Sequence, residues 1–474
     1  MRFYLLFLVF LASCASYRQQ SADYYSRLQS GDYQAAEKAL DKNRLLNKKR
    51  NHLLYLLEKG KLTHMQGKWE ESNRYFNEAD GIMESQRNSF GDIALGNLLN
   101  PMMKQYRAEA FEAYLVHYYK AVNYLQLGNR EEAIVEARRI TLRTYMQDDK
   151  VGNKNKYSED PFALSLQGMI YEAGGDINNA FIAYRNAANV YLESNGMHYG
   201  TKLPDQLKQD VLRLADANGF VDELQRYEDR FGEKYQKSKM ADGGELLLFW
   251  ESGEAPVKAQ QDLFFAASRN STGSLFFTDN RGLYNVPWDN SSSLNSSANI
   301  TDLRGFRVAI PVYEPRNPVY SHAVLQQDGV TRNFELAENV NELAVRTLQE
   351  RMLKELAQTL TRMAVKKLAE AAVRNAGSDS KDDKNKTEEE KKKEKKNKQT
   401  REALAFGLQL FNLATEKADT RNWQSLPNRI YYTRIPLQKG ENQLTVTLQG
   451  PTAQKINLNV TGSGSLQFRT ISSR

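Results

Sequence analysis

The chain has 474 residues, of which 41% are hydrophobic and 10% aromatic, enough apolar material for more than one buried core. Its 65 basic and 58 acidic residues give a formal net charge of +7, a small and dispersed excess that does not indicate a nucleic-acid partner. With a single cysteine, the chain can form neither an intramolecular disulfide nor a cysteine-based zinc site.

The N-terminus has the pattern of a secretory signal. One charged residue, Arg2, precedes the apolar run "FYLLFLVFLA", which is too short to cross a bilayer as a permanent helix. The end of this run and the residues after it resemble the bacterial lipobox, in which a small residue precedes an acylated cysteine. The matching residues are Leu11, Ala12, Ser13 and Cys14.

The lipobox resemblance implies that residues 1–13 are removed and that acyl chains on Cys14 anchor the protein to a membrane. Ala15 follows, not an aspartate, which by the usual sorting rule implies the outer membrane if the host has one. No acidic cluster follows Cys14, so nothing argues for export to the cell surface, and we expect the periplasmic face. The alternative is an ordinary signal peptide with a chance cysteine.

Four segments repeat one pattern, and they read "GDYQAAEKAL", "GKWEESNRYFNEA", "GNREEAIVEARRI" and "GDINNAFIAYRNAANVY". Each begins with a glycine and has a small residue five positions later, and the last three have another small residue seven positions before the glycine. These positions are Gly31, Ala36, Gly60, Gly67, Ser72, Ala121, Gly128, Ala133, Gly168, Gly175 and Ala180. The pattern resembles the tetratricopeptide repeat, a pair of antiparallel helices. The glycine permits the turn and the small residues allow close helix packing.

We expect this helical array to occupy residues 14–236. A degenerate fifth copy begins at Gly219, and the irregular spacing predicts an extra helix near 92–110 and a polar loop near 147–160. The tyrosines of "FEAYLVHYYKAVNYLQLG" allow two interpretations, an aromatic platform for sugar or packing between helices. The second is the usual role of repeat tyrosines, and we favour it.

A second domain is expected over residues 241–474. The segments "GELLLFWESGEAP", "DLFFAAS", "SLFFTD" and "RVAIPVYEP" predict strands, and "DNSSSLNSSANITD" predicts a polar loop. A hairpin is predicted to turn at Asp328 and Gly329. A long helix is predicted over 338–374, with one apolar stripe formed by Val340, Leu343, Leu353, Leu356, Leu360, Met363 and Leu368.

Residues 377–400 nearly lack apolar side chains, so their composition predicts a charged, disordered insertion. A helix over 401–418 is expected to pair with the long helix, which puts the insertion at the tip of a helical hairpin. Four alternating strands are then expected to close the chain as a small antiparallel sheet. The predicted fold class is therefore α+β, with a tetratricopeptide-like helical array followed by a smaller domain of antiparallel strands and a long helical hairpin.

The second domain also carries a closer resemblance. "GELLLFWESGEAPVK", "VAIPVY", "LQERMLKELAQTLTRMAVKKLAEA" and "TRNWQSLPNRIYYTRIPLQKGENQLTVTL" are similar to segments of a family of uncharacterised bacterial envelope lipoproteins with N-terminal repeats. The resemblance covers nearly the whole chain. It implies a location and an architecture, and no activity.

No pattern in the sequence indicates catalysis, a metal site or a cofactor. The five histidines, His52, His64, His117, His198 and His322, include no pair at metal-ligand spacing on one helix. Glu251 and Glu254 could form a carboxylate pair, but exposed turn residues explain them more simply. Arg362 and Lys366 could form an anion site, but a solvated helix face is the simpler explanation.

These patterns lead to three hypotheses of function. The first is an interaction scaffold or regulator for an envelope assembly, with a concave helical surface that receives a protein partner. The second is a glycan- or peptidoglycan-binding lipoprotein. The third, an enzyme with an unfamiliar site, is the weakest because no constellation of residues supports it.

Overall fold

The computed structural model describes residues 17–88, 101–151, 160–237, 241–269, 271, 275–282, 284–287, 306–375 and 417–474. Cys14 and its lipobox, the charged stretch 377–400, the polar loop near 289–302 and most of the predicted helix 401–418 lie outside these residues. Lys417 and Ala418 are described and are not helical. Among the described residues, no helix combines the length and the apolar character needed to cross a bilayer.

The first half of the chain is a series of antiparallel helix pairs. They are α1 (Tyr17–Gln29) with α2 (Tyr33–Asp41), α3 (His52–Met65) with α4 (Trp69–Asn88), α5 (Ala110–Gln126) with α6 (Arg130–Val151), α7 (Pro161–Ala173) with α8 (Ile177–Glu193), and α9 (Asp205–Ala217) with α10 (Val221–Phe231). Each pair packs on the next. Aspartates cap several of these helices: Asp32, Asp160 and Asp176 each accept a hydrogen bond from a backbone nitrogen three residues later.

One local prediction for this half is shifted, and another lies partly outside the described residues. The extra helix expected near 92–110 falls partly on residues 92–100, which the structure does not describe. Between residues 101 and 109 a 3₁₀ turn, Pro101–Met103, precedes an extended segment. The backbone of Tyr106 in that segment bonds to the carbonyl of Arg50 and the side chain of Gln86, so neighbouring helices satisfy it. The predicted loop near 147–160 starts later than expected, because α6 continues to Val151 through residues that include no glycine or proline.

The strands follow in the order β1 (Met197–His198), β2 (Thr201–Lys202), β3 (Gly244–Ser252), β4 (Val257–Arg269), β5 (Leu275–Asp279), β6 (Asn285–Pro287), β7 (Phe306–Glu314), β8 (His322–Gln327), β9 (Val330–Asn333), β10 (Glu335–Glu338), β11 (Arg429–Pro436), β12 (Gly440–Gln449), β13 (Gln454–Gly462) and β14 (Ser465–Ser473). Apart from the β1–β2 hairpin, they form three four-stranded sheets. Their strand orders are β10-β11-β3-β14, β13-β12-β8-β9 and β6-β5-β4-β7.

Residues 246–250 of strand β3 form an unbroken apolar run because both faces of its sheet are covered. Leu247 and Phe249 belong to the core shared with the helical array. Leu246, Leu248 and Trp250 point the other way, into the core between the first sheet and the second. The first sheet is therefore a central layer between the helices and the second sheet.

The final four strands do not form one antiparallel sheet, as the sequence suggested. β11 and β14 lie on either side of β3, and β14 runs parallel to it, whereas β12 and β13 belong to the second sheet. The chain crosses between the sheets at a crowded point, where a Cβ atom at Gly462 would lie 2.1 Å from the carbonyl oxygen of Gln438. Alternation along a strand identifies its buried face but not its neighbour, so this pairing could not be read from the sequence.

The long helix α11 (Val340–Asn375) covers one face of the third sheet. Its side of this core is formed by Leu348, Met352, Leu356, Leu360, Met363 and Ala364. Leu353, which we placed in the apolar stripe, is 61% exposed, because the helix turns it away from the sheet. The side chain of Leu368 lies outside the described residues. The chain as a whole is an α+β protein in which a helical repeat array is followed by β-sheets and one long helix.

Candidate functional site: the groove of the helical repeats

The small residues of the repeats lie where helices touch most closely. Gly60 in α3 faces Phe76 in α4, and a Cβ atom at Gly60 would lie 2.7 Å from the ring. Gly168 faces Tyr184 in the same way, also at 2.7 Å. Each glycine thus leaves the space that an aromatic side chain sixteen positions later fills. Ala121 is fully buried at the corresponding position of the α5–α6 pair.

The other predicted repeat residues lie at the turns and on the second helices. Gly31, Gly67, Gly128 and Gly175 follow the first helices and have φ between +72° and +81°, a left-handed backbone that favours glycine. Ala36, Ser72, Ala133 and Ala180 are fully buried. Ser72 also donates a hydrogen bond from its hydroxyl to the carbonyl of Gly60, at 2.8 Å.

The first helices α3, α5, α7 and α9 each contact the second half of the chain, and we call the side of the array that makes these contacts the groove. The sequence suggested that it would be open to a partner, but the second half of this chain fills it. Phe249 of β3 contacts the rings of Tyr118 and Phe162. Residues 417–428, here called the groove segment, place Trp423 against the stacked rings of Phe76 and Tyr119, with ring centroids 5.7 and 5.9 Å away. Trp423 is fully buried.

Two buried glutamates of the groove hold the backbone of this segment. Glu58 in α3 accepts a hydrogen bond from the backbone nitrogen of Gln424 at 3.0 Å, and also from the hydroxyls of Tyr24 and Tyr25. Glu112 in α5 accepts one from the backbone nitrogen of Trp423 at 2.7 Å. Two consecutive peptide groups are therefore bound by side chains from two different repeats.

Burial and neighbouring charges act in opposite directions on two glutamates at the start of α5. Burial, with the nearby charge of Glu109, raises the pKa of Glu112 to about 7. Burial alone would also raise the pKa of Glu109, but Lys258 and Arg351 beside it lower that pKa to about 2. Lys258 contacts Glu109 at 2.5 Å. Glu109 thus joins α5 ionically to the second half of the chain, and Glu112 binds the groove segment by hydrogen bonds.

Arg421 fixes the start of the groove segment. Arg421 is only 1% exposed. Its guanidinium donates hydrogen bonds to the side chain of Asn51, to the carbonyls of Lys104 and Pro101, and to the carboxylate of Asp419. Residues 101–104, which precede α5, therefore supply acceptors for this arginine and form a wall of the groove.

Ion pairs at two further points join the first helices to the first sheet. Lys61 in α3 contacts Glu251 in β3 at 2.5 Å, and both side chains are almost fully buried. Burial lowers the pKa of Lys61 to about 8, while the adjacent Glu251 acts against that shift. Arg434 of β11 pairs with Asp210 in α9 and with Glu172 in α7 at 2.7 Å.

The interpretation of Glu251 and Glu254 as exposed turn residues is wrong. Glu251 is 2% and Glu254 7% exposed, and Glu254 bonds to Arg316 and to Arg474 at 2.5 and 3.0 Å. The turn that they flank is packed between the sheet and the first helices, so both carboxylates need cationic partners. The side chains of Arg362 and Lys366 lie outside the described residues.

The histidines do not come together. His64 and His117 are buried and bond to Asn123 and Glu136, whereas His52 is exposed beside Glu78. Within the part of the chain that the structure describes, no group of three or more His, Cys, Asp or Glu is arranged to hold a metal ion. Of the tyrosines considered as a sugar platform, Tyr114, Tyr118 and Tyr119 are buried in the core, and Tyr124 is partly buried against it.

Sequence reasoning missed the residues that hold the groove segment. The α3 sequence "HLLYLLEKGKLTHM" contains charged side chains within an otherwise apolar helix, and Glu58, Lys59 and Lys61 are all buried. Such charges are rarely buried unless they are paired, so three of them within an otherwise apolar helix are a usable signal. It indicates buried partners, although it does not identify them.

No model of a known protein family matches this sequence, and no curated protein is similar to it. Solved structures resemble its helical part. MamA is 15% identical, with 44% of this chain and 91% of MamA covered and a TM-score of 0.27. A Podosopora anserina putative kinesin light chain with TPR-like repeats is 13% identical, with 45% and 92% covered and a TM-score of 0.30. Apo RapI is 10% identical, with 46% and 54% covered and a TM-score of 0.32. At these scores the matches do not bear on what this chain binds, and its repeat architecture follows from the helix pairs themselves.

Proposed function

We propose that this chain is a lipid-anchored, periplasm-facing protein of the outer membrane that serves as an interaction scaffold or regulator for an envelope assembly. The lipobox-like "LASC" and the similarity to envelope lipoproteins support the location. The repeat array supports the role, because stacked helix pairs offer long surfaces for other polypeptides. The proposed role is binding, without a catalytic step.

The observation that carries the proposal is the pair of hydrogen bonds that Glu58 and Glu112 accept from successive backbone nitrogens of the groove segment. They make the groove a polypeptide-binding surface, and the occupant belongs to the same chain. The groove segment thereby joins the array and the sheets into one body, which can present several surfaces in a fixed arrangement.

A partner that displaced the groove segment would leave Glu58 and Glu112 buried without their backbone donors. Each unsatisfied buried group costs about 1–3 kcal/mol, and the loss of Trp423 from the core would add to this. We therefore propose that the segment stays in the groove and that partners bind the outer edge of the array. At this edge Ile177 begins α8 and Val221 begins α10, and the two side chains are 39% and 72% exposed. They lie on neighbouring turns, because the side chain of Asn218 donates a hydrogen bond to the carbonyl of Ile177.

Photocross-linking in cells tests this role. A photoreactive amino acid is placed at Ile177 or at Val221, and a matched control carries it at Val330, an exposed β-branched residue of the second sheet. We expect both edge positions to capture the same envelope protein, the control to miss it, and Cys14→Ser to reduce the capture by releasing the chain from the membrane. If no position captures a protein while the purified chain is retained by isolated peptidoglycan, the glycan-binding hypothesis replaces the scaffold.

The anchor has its own test. Cys14→Ser should abolish acylation and leave the protein in the soluble fraction or unprocessed. Wild-type protein should remain with membranes after a high-salt wash, and release of the wild type by salt alone would contradict the anchor.

A further inference from the structure

The loop between α2 and α3 is strongly basic. Residues 42–50, here called the basic loop, contain five basic side chains and no acidic one: Lys42, Arg44, Lys48, Lys49 and Arg50. The first four are exposed, and none of the five forms an ion pair with any described residue. Elsewhere the array pairs many of its charges, as in the contact between Lys59 and Asp41. Lys42, Arg44, Lys48 and Lys49 therefore present their positive charge at the exposed surface of the described part of the chain.

The basic loop lies beside the point where the N-terminal segment joins the body. The side-chain nitrogen of Asn43, between Lys42 and Arg44, donates to the carbonyl of Gln20 in the first turn of α1, at 3.0 Å. Tyr17, the first residue of α1, is buried in the core and three residues from Cys14, a span of about 10 Å at most. Any membrane attachment through the lipobox or the apolar run before it would thus hold the basic loop close to the lipid surface.

A cleft between α1 and α2 continues this positive surface. Its volume is about 660 Å³. Its walls carry the basic residues Arg27, Lys38, Lys42 and Arg44, and Asp23 is the acidic residue among them. Asp23 is already paired with Arg27 at 2.9 Å, and the other three cations form no ion pair with a described residue. The size is suitable for a small polar group, and the charge suits an anion such as a phosphate diester.

We propose that the basic loop and this cleft form a binding surface for anionic phospholipid headgroups, and that this surface orients the body on the membrane. Firm membrane binding commonly combines an inserted apolar group with a cluster of basic residues. The basic loop would supply the second contribution, since each basic side chain near an anionic bilayer adds separately to the binding free energy. The lipid-binding surface does not depend on the scaffold role, because it would operate whatever the outer edge binds.

Vesicle binding tests the surface without the lipid anchor. The chain expected after signal cleavage, with serine at position 14, is sedimented with vesicles of phosphatidylcholine alone or with phosphatidylglycerol added. We expect binding to the anionic vesicles only, weakening steeply as salt rises. The variant Lys42→Glu/Arg44→Glu should bind at least about 25-fold more weakly, because each basic residue near an anionic surface contributes about fivefold and the two factors multiply.

The matched control makes the same change in net charge at the opposite end of the array. Lys234→Glu/Lys237→Glu alters two exposed lysines after α10 and should leave vesicle binding unchanged. Equal loss in the two variants, or equal binding to neutral vesicles, would overturn the proposal. Tighter binding to a soluble acidic polysaccharide than to anionic vesicles would also overturn it and assign the surface to that polymer. Circular dichroism of both variants establishes that they are folded.

Discussion

The carboxylate of Glu112 accepts a hydrogen bond from the backbone nitrogen of Trp423 at 2.7 Å, although 311 residues separate the two in the chain. Glu112 belongs to the third helix pair, and Trp423 to the segment between α11 and β11. This contact, with that of Glu58 to Gln424, makes the groove an internal interface. It follows that variants at this interface should act mainly on stability, and that partner binding should depend on other surfaces.

A methyl group added at Gly60 should destabilise the protein, whereas one added at Gly81 should not. The new Cβ atom at Gly60 would lie 2.7 Å from the ring of Phe76, and overpacking of this kind costs about 1–3 kcal/mol. At Gly81 in α4 a Cβ atom meets nothing within 4 Å, so alanine should add up to about 1 kcal/mol through its better helix propensity. Urea unfolding of Gly60→Ala and Gly81→Ala measures both effects, and losses of equal size would contradict this account of the repeat.

Removal of the Trp423 side chain should cost far more than removal of an exposed ring. Trp423 is fully buried against Phe76 and Tyr119, so Trp423→Ala should lower the free energy of unfolding by about 3–5 kcal/mol. Phe264 on β4 is 53% exposed, and Phe264→Ala should change stability by about 0.5 kcal/mol or less. Denaturant unfolding followed by circular dichroism makes the comparison. Comparable small effects in the two variants would show that the groove segment is not part of the core.

The pKa of Glu112 predicts a stability change in a defined pH range. Because burial and Glu109 raise this pKa from 4.5 to about 7, the folded state holds the proton more tightly than the unfolded state. The resulting stabilisation is present below pH 4.5 and is lost as the pH rises towards about 7. Over this range the free energy of unfolding should fall by about 3 kcal/mol. We expect the wild type to lose stability relative to Glu112→Gln over this range, as measured by chemical unfolding at several pH values.

Glu109, three residues away, provides the contrast. Although burial opposes it, pairing with Lys258 and Arg351 lowers the pKa of Glu109 to about 2. Its stabilising contribution is present above pH 4.5 and is lost as the pH falls towards 2. The difference in free energy of unfolding between the wild type and Glu109→Gln should therefore change at acid pH, below the pH range assigned to Glu112. If the two variants follow the same profile, the opposite environments inferred for the two carboxylates are wrong.

The buried ion pair between Lys61 and Glu251 should be costly to break from one side. Lys61→Met leaves Glu251 charged and buried, and such losses are typically about 3–5 kcal/mol. The double variant Lys61→Met/Glu251→Leu should recover most of this, because no unpaired charge remains. A double-mutant cycle in guanidinium chloride measures the coupling. Arg226→Ala, which breaks an exposed pair with Glu223, should cost under about 1 kcal/mol, and a similar cost for Lys61→Met would refute the interpretation.

The repeat pattern illustrates what could be predicted. The spacing of Gly60, Gly67 and Ser72 is a consequence of contacts within one helix pair, so it is present in the sequence as a local regularity. The hairpin turn at Asp328 and Gly329 is equally local, and both residues have positive φ as that turn requires. The strand β3 was also predictable as a buried strand, because an apolar run needs cover on both faces.

The sequence by itself determined the helix pairs, most strands, the long helix and the α+β class. Only the tertiary structure decided that the groove is filled by Trp423 and its neighbours, that β14 lies parallel to β3, and that Glu251 is buried against Lys61. The reason is physical. Helix and strand periodicities are set by residues a few positions apart, whereas the partner of a buried charge or of a strand edge is selected by the packing of whole elements, across separations such as the 311 residues between Glu112 and Trp423.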